Sequence, residues 1–163
     1  MESIHIYTDG GCSGNPGPGG WAYLIIRNGE CGVGSGEGGR GEPILIAENW
    51  GAEKSTTNNR MELQAVISAL EVLENLDKKM ENITVYTDSQ YVQKGMSLWI
   101  KDWKSKRWKT SGKEPVKNQE LWQRLDALAG GFSINWVWVK GHAGNEYNER
   151  CDALTQKAIA SIK

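Results

Sequence analysis

The chain has 163 residues, 39% hydrophobic and 24% charged, which excludes a disordered tail and matches one ordinary folded domain. A chain this long buries roughly 70% of the surface it exposes when unfolded, and no apolar run approaches the roughly 20 residues of a membrane-spanning helix. The net charge of −1 hides an asymmetry: residues 94–117 hold eight basic and two acidic side chains, net +6, which leaves −7 for the rest.

Residues 4–9, IHIYTD, alternate apolar and polar side chains and run into glycine, the pattern of a strand. Residues 10–20, GGCSGNPGPGG, read as a turn. Residues 21–26, WAYLII, form a mostly buried strand, and 43–50 form the next. The glycine-heavy stretch 29–41 between them reads as a long hairpin tip. The strongest helix covers 58–76, with Leu63, Val66, Ile67, Leu70 and Leu73 on one face and Gln64, Ser68, Glu71 and Asn75 opposite. Thr57 or Asn58 can cap its start. Residues 83–87 are a buried strand ending at Asp88, 89–103 one or two short helices, 119–129 another helix, 132–139 a strand and 145–159 a closing helix.

This order predicts an α/β fold in a single domain, 1–163: a mixed five-stranded sheet, three antiparallel strands then two parallel ones, flanked by helices, with a basic protrusion at about 94–117. Three distant cysteines, Cys12, Cys31 and Cys151, do not make a disulfide framework, and with only His5 and His142 no ordinary zinc site can be assembled. A metal here is held by oxygen. The opening MESIHIYTDG lacks the basic and apolar regions of a secretory signal, so a cytoplasmic protein is expected.

Asp9 and Asp88 sit at corresponding strand ends, where α/β sheets place their ligands. If the first and fourth strands are parallel neighbours, the two carboxylates converge. Glu62 lies in the first turns of the long helix and Asp152 in the last helix, whose stripe of Leu154, Ala158 and Ile159 should pack on the same sheet. Two unit charges about 4 Å apart repel by about 4 kcal/mol at an effective dielectric near 20. Four such acids must therefore be partly protonated or hold divalent cations, and all-oxygen ligands select Mg²⁺, with Mn²⁺ as a substitute. Each acid also has a plain structural role open to it, in a turn or on a solvated helix face.

Asp9-Gly10-Gly11-Cys12 with Gly14-Asn15-Pro16-Gly17-Pro18-Gly19-Gly20, then Thr56-Thr57-Asn58-Asn59-Arg60-Met61-Glu62, Thr87-Asp88-Ser89-Gln90-Tyr91-Val92, Val139-Lys140-Gly141-His142-Ala143-Gly144 and Glu149-Arg150-Cys151-Asp152 resemble, in order and over nearly the whole chain, bacterial-type ribonuclease H type 1. The resemblance implies an endoribonuclease that hydrolyses the RNA strand of RNA–DNA hybrids by a two-metal-ion mechanism, leaving 5′-phosphate and 3′-hydroxyl ends. It implies two Mg²⁺ ions on Asp9, Glu62, Asp88 and Asp152, with Asp9 bridging, and His142 assisting proton transfer or product release. Gly10, Cys12, Asn15 and Gln90 would face the RNA strand and the minor groove. Asn58 and Asn59 would reach base edges, and Thr57 with Asn118 would grip a DNA phosphate. Trp99 and Trp103 match residues that contact the DNA strand, in a lobe whose charge is carried by Lys104, Lys106, Arg107 and Lys109. The two tryptophans are four apart and can equally pack a helix pair. A monomer acting on an RNA–DNA hybrid, without a membrane partner, is the expected assembly. Two other readings compete: a hybrid-binding module whose acids serve only structure, and a nuclease or integrase of the same fold acting on duplex DNA.

Gly34-Ser35-Gly36-Glu37-Gly38-Gly39 satisfies G-x-G-x-x-G formally, but a break and a strand follow it rather than a helix, so it is not read as a dinucleotide site.

Overall fold

A computed structural model of the protein describes residues 3–28, 43–76, 82–110, 112–140 and 146–162. Five strands form one sheet in the order β3-β2-β1-β4-β5. β1 (Ser3–Cys12) pairs antiparallel with β2 (Gly17–Asn28), which pairs antiparallel with the edge strand β3 (Ile44–Thr56). On its other side β1 pairs parallel with β4 (Asn82–Thr87), and β4 pairs parallel with β5 (Ser133–Trp138). The expected mixed sheet is the one observed.

Strand alternation splits the apolar residues between two helical layers. Ile4, Ile6, Tyr23, Ile25, Ile83 and Val85 turn to one face, under α1 (Asn58–Asn75) and α4 (Gln119–Ala129). Tyr7, Leu24 and Ile26 turn to the other, under α5 (Glu146–Ile162), with Tyr86, Tyr147 and Leu154 packed around them. Thr57 is the cap of α1: its hydroxyl accepts from the Arg60 N–H. The buried stripe of α1 is wider than the predicted face and includes Met61, Glu62, Ala65 and Ala69, because both the sheet and α4 pack on it. Each fully buried Leu or Ile there contributes about 1.5–3 kcal/mol.

Two boundaries differ from expectation by more than a turn. The segment 10–20 is not one turn: Gly10 to Cys12 continue β1, Gly17 to Gly20 open β2, and only residues 13–16 turn the chain. The glycines are there for close approach. A Cβ on Gly10 would lie 2.5 Å from the Glu62 backbone nitrogen in α1, and one on Gly20 would lie 2.8 Å from the Ala158 Cβ in α5. β3 also runs past residue 50 to Thr56. Its polar second half is stable as the outer strand because only one edge and one face need a partner. Its register pairs Trp21 with Gly51, with irregularities between Gly17 and Gly19 and between Ile25 and Ile26. In α5 the buried stripe is Cys151, Thr155, Ala158 and Ile159, with Leu154 at its margin rather than its centre.

α2 (Gln90–Lys94) passes through one π-helical turn, Gly95–Trp99, into α3 (Ile100–Ser105). Beyond it the chain folds back on itself: the Thr110 N–H donates to the Glu114 carbonyl at 2.7 Å and the Val116 N–H to the Trp108 carbonyl at 3.0 Å. Arg107, Trp108 and Lys113 adopt left-handed backbone angles there. Among the described residues no helix is long and apolar enough to cross a membrane. The G-x-G-x-x-G stretch, the predicted hairpin tip and Cys31 lie outside the described residues.

Candidate active site

β1 and β4 stay in parallel register through Thr8 and Thr87, so Asp9 and Asp88 are the next residues at the carboxyl end of two adjacent strands. The Trp138 indole N–H donates to the Asp88 carbonyl at 3.1 Å and the Val139 N–H donates to the Thr87 carbonyl at 2.8 Å, which ties this end of β4 to β5. Gly10 lets α1 approach β1 closely enough to bring Glu62 alongside. One carboxylate oxygen from each of Asp9, Glu62 and Asp88 falls within a group whose members all lie within 4.8 Å of one another. The predicted convergence of these three acids is present.

Their electrostatics show strain. Asp9 is 8% exposed and its pKa is pushed up to about 7, first by burial, then by the charge of Asp88 and, more weakly, that of Asp152. Hydrogen bonds from Thr155 and the Gly10 N–H oppose this rise without cancelling it. Glu62 is raised well above the usual carboxylate range by burial, then by Asp9 and Asp88. Its Oε2 is buried and has no hydrogen-bond partner among the described residues. A buried carboxylate oxygen left unsatisfied beside two further acids costs free energy that a cation would return. The donor set is all oxygen, so the pocket fits a hard divalent ion.

Asp152, half-buried on α5, is near enough to act on Asp9 electrostatically but stands outside the tight group of three. His142 lies outside the described residues. Thr155, which the sequence reading did not single out, joins the site through Asp9. Its signal was present in the i, i+4, i+8 run Cys151, Thr155, Ile159 on the face of α5 that meets the sheet.

The family model described as RNase H matches residues 1–160. The chain belongs to the ribonuclease H family. It is 50% identical to the ribonuclease H of Treponema denticola, over 98% of this chain and 99% of that one, and 49% identical to that of Chromobacterium violaceum, over 99% and 97%. Among solved structures it resembles LC9-RNase H1, a type 1 RNase H with the type 2 active-site motif, at 32% identity and a TM-score of 0.82, covering 100% of this chain and 74% of that one. LC11-RNase H1 in complex with RNA/DNA hybrid aligns at 27% identity and a TM-score of 0.65, over 97% of each chain. Ribonuclease H hydrolyses RNA in RNA–DNA hybrids, so the chain is a nuclease and a hydrolase, and the acid group at its sheet end suits metal binding.

The remaining residues suggested by the likeness to ribonuclease H occupy the rim of this end or the lobe. The Cys12 sulfur lies 3.2 Å from the Gly17 carbonyl oxygen and 3.1 Å from that of Thr56, so its single S–H is shared between β2 and β3. The Asn15 side-chain oxygen accepts from the Asn58 N–H at 3.2 Å, joining the β1–β2 turn to the start of α1. Asn58, Asn59 and Gln90 are exposed. Asn118 precedes α4 in a left-handed conformation with φ 60°. In the lobe, Trp103 packs at tilted angles against Trp99, Trp108 and Trp122 with ring centroids 5.8, 6.2 and 5.1 Å away, while Trp99 touches only Trp103 and Tyr91 among the described rings. Lys104, Lys106, Arg107 and Lys109 are all exposed. Lys104 pairs with Asp126 at 3.2 Å and Lys106 with Asp102 at 3.1 Å.

Proposed function

We propose that the protein is a Mg²⁺-dependent endoribonuclease that cleaves the RNA strand of RNA–DNA hybrids to leave 5′-phosphate and 3′-hydroxyl ends. The observation that carries this reading is the group of Asp9, Glu62 and Asp88, with the orphaned Glu62 Oε2 among them. Asp9, Glu62, Asp88 and Asp152 would hold two Mg²⁺ ions, or Mn²⁺ in their place. When bound, such ions supply an activated water and offset charge on the leaving 3′-oxygen.

The chain's own groups do the rest. Asp9, on the central strand, is held by the Gly10 N–H with Thr155 beside it, and its place in the group with Glu62 and Asp88 suits a shared ligand. His142 accepts or returns a proton near the scissile phosphate, or helps product leave. Gly10, Cys12, Asn15 and Gln90 face the RNA sugar edge, where the 2′-hydroxyl separates RNA from DNA. Asn58 and Asn59 reach minor-groove base edges, whose degenerate pattern makes cleavage nearly independent of sequence. Thr57 and Asn118 hold a DNA phosphate. Trp99, Trp103 and the cations Lys104, Lys106, Arg107 and Lys109 hold the DNA strand further along. The enzyme acts as a monomer in the cytoplasm.

The test is a cleavage assay on end-labelled RNA–DNA hybrid, duplex DNA, duplex RNA and single strands, with and without Mg²⁺, for the wild type and Asp9→Asn. Cleavage of the hybrid's RNA strand alone, dependent on Mg²⁺ and lost in Asp9→Asn with binding retained, is the expected result. Normal turnover by Asp9→Asn, or preference for duplex DNA, would overturn it.

A further inference from the structure

Five side chains, from α1, α2 and the start of α4, meet beside the start of α1. The Arg60 guanidinium donates to the Asn118 Oδ1 at 3.2 Å and also to Glu120. The Asn118 Nδ2 donates to the Tyr91 hydroxyl at 3.1 Å, and the Trp122 indole N–H donates to the same hydroxyl at 2.9 Å. This chain of bonds has a fixed direction. Arg60 and Trp122 are donors only, so each forces its partner to accept. The Asn118 oxygen must face Arg60, and the amide nitrogen must face Tyr91. Tyr91 already accepts from Trp122 and Asn118, so its own O–H is left to donate. Asn118 keeps a second N–H. The Glu120 carboxylate is engaged by Arg60, and what Tyr91 and Asn118 have left to offer are donors, the polarity that suits phosphate oxygens.

We infer that Arg60 is a positioning residue: it acts through Asn118, locking the amide so that its nitrogen, not its oxygen, is presented to the nucleic-acid backbone. This rests on the reading of Asn118 as a phosphate contact given above. Asn118 stands in a left-handed conformation with φ 60° at the start of α4, a backbone arrangement without a helix partner to hold the side chain. Without Arg60 the amide is free to turn over and meet phosphate with its oxygen, which repels. Thr57 completes the arrangement: its hydroxyl caps α1 by accepting from the Arg60 N–H, so backbone and side chain of Arg60 serve the two residues of one candidate phosphate site.

The test is a double-mutant cycle on hybrid cleavage with Arg60→Met, Asn118→Ala and the double variant, alongside Arg60→Lys. Thermal melts check that each folds, and Arg60→Lys keeps the test available if Arg60→Met does not. Asn118→Ala and Arg60→Met should each raise KM about tenfold with kcat within about twofold, and the double variant should be no worse than Asn118→Ala. Arg60→Lys should stay impaired, because both bonds come from the terminal Nη1, which lies one bond further from the backbone than a lysine Nζ. In NMR spectra of the free protein, the Asn118 side-chain amide pair should move on Arg60→Met. Multiplying effects in the double variant, or full rescue by Arg60→Lys, would show that Arg60 touches phosphate itself and overturn the inference. A normal KM for Asn118→Ala would instead remove the phosphate reading of Asn118, and the inference with it.

Discussion

The acid end of the sheet and the basic lobe carry opposite charge, and they keep it in opposite ways. Asp9 and Glu62 are buried, crowded and held by β1 and α1, so their charges act on one another through protein and their pKa values rise. The lobe's Lys104, Lys106, Arg107 and Lys109 stand in water around a fold-back whose underside, Trp103, Trp108, Ile100 and Val116, is part of the main core. One region stores unfavourable electrostatic energy that a ligand can release. The other stores almost none and acts over distance. Substitutions in the two should therefore separate into effects on stability and effects on salt-dependent association.

The largest effect belongs to the acid end. Asp9→Asn should lower hybrid cleavage on the order of 10³-fold, the loss expected when several kcal/mol of transition-state stabilisation goes, as measured by single-turnover assays. The same variant sharpens the comparison through pH. Asp9 has a folded pKa near 7 against an ordinary 3.8, so the folded state binds more protons between those values. Stability is then greatest below about 4 and is lost as pH rises through 7. Burial lowers the His5 pKa, which works in the opposite sense, but that contribution is common to both proteins. In urea unfolding with chelator present, the wild type should therefore lose on the order of 2–4 kcal/mol relative to Asp9→Asn between pH 4 and pH 8. Parallel pH curves for the two proteins would break the claim that the acid end is strained.

Within the lobe, Trp103→Ala should cost about 2–3 kcal/mol of stability, because the ring packs against three others. Trp99→Ala should cost clearly less and act instead on hybrid affinity; equal losses of stability would make both rings core residues. The smallest effect on stability is expected from neutralising Lys104, Lys106, Arg107 and Lys109 together. The two ion pairs lost are exposed and contribute at most about 1 kcal/mol, while the dependence of binding on log salt should flatten by about 0.7–0.9 per phosphate contact removed. An unchanged slope would mean that the lobe does not meet phosphate.

The sequence made the strands of the mixed sheet, α1, α4 and the strand-end acids legible because each rests on a local signal: a period, a cap, or an acid following a buried strand. α4 begins and ends where the pattern of apolar residues predicted. The glycine run at 10–20 misled for a physical reason. Glycine marks both turns and strands crossed closely by helices, and only the position of α1 and α5 tells the two apart. The polar half of β3 was invisible because an edge strand needs little apolar surface. The bond from Arg60 to Asn118 spans 58 residues and depends on an amide's orientation, which no local pattern encodes.

α1 and α5 lie on opposite faces of the sheet, and Glu62 and Thr155 reach Asp9 from these two sides. Neither half of the molecule can assemble the pocket alone. In a refolding experiment, recovery of enzymatic turnover would thus report the last of the two layers to dock, whichever it is, and would lag any probe that watches a single helix settle.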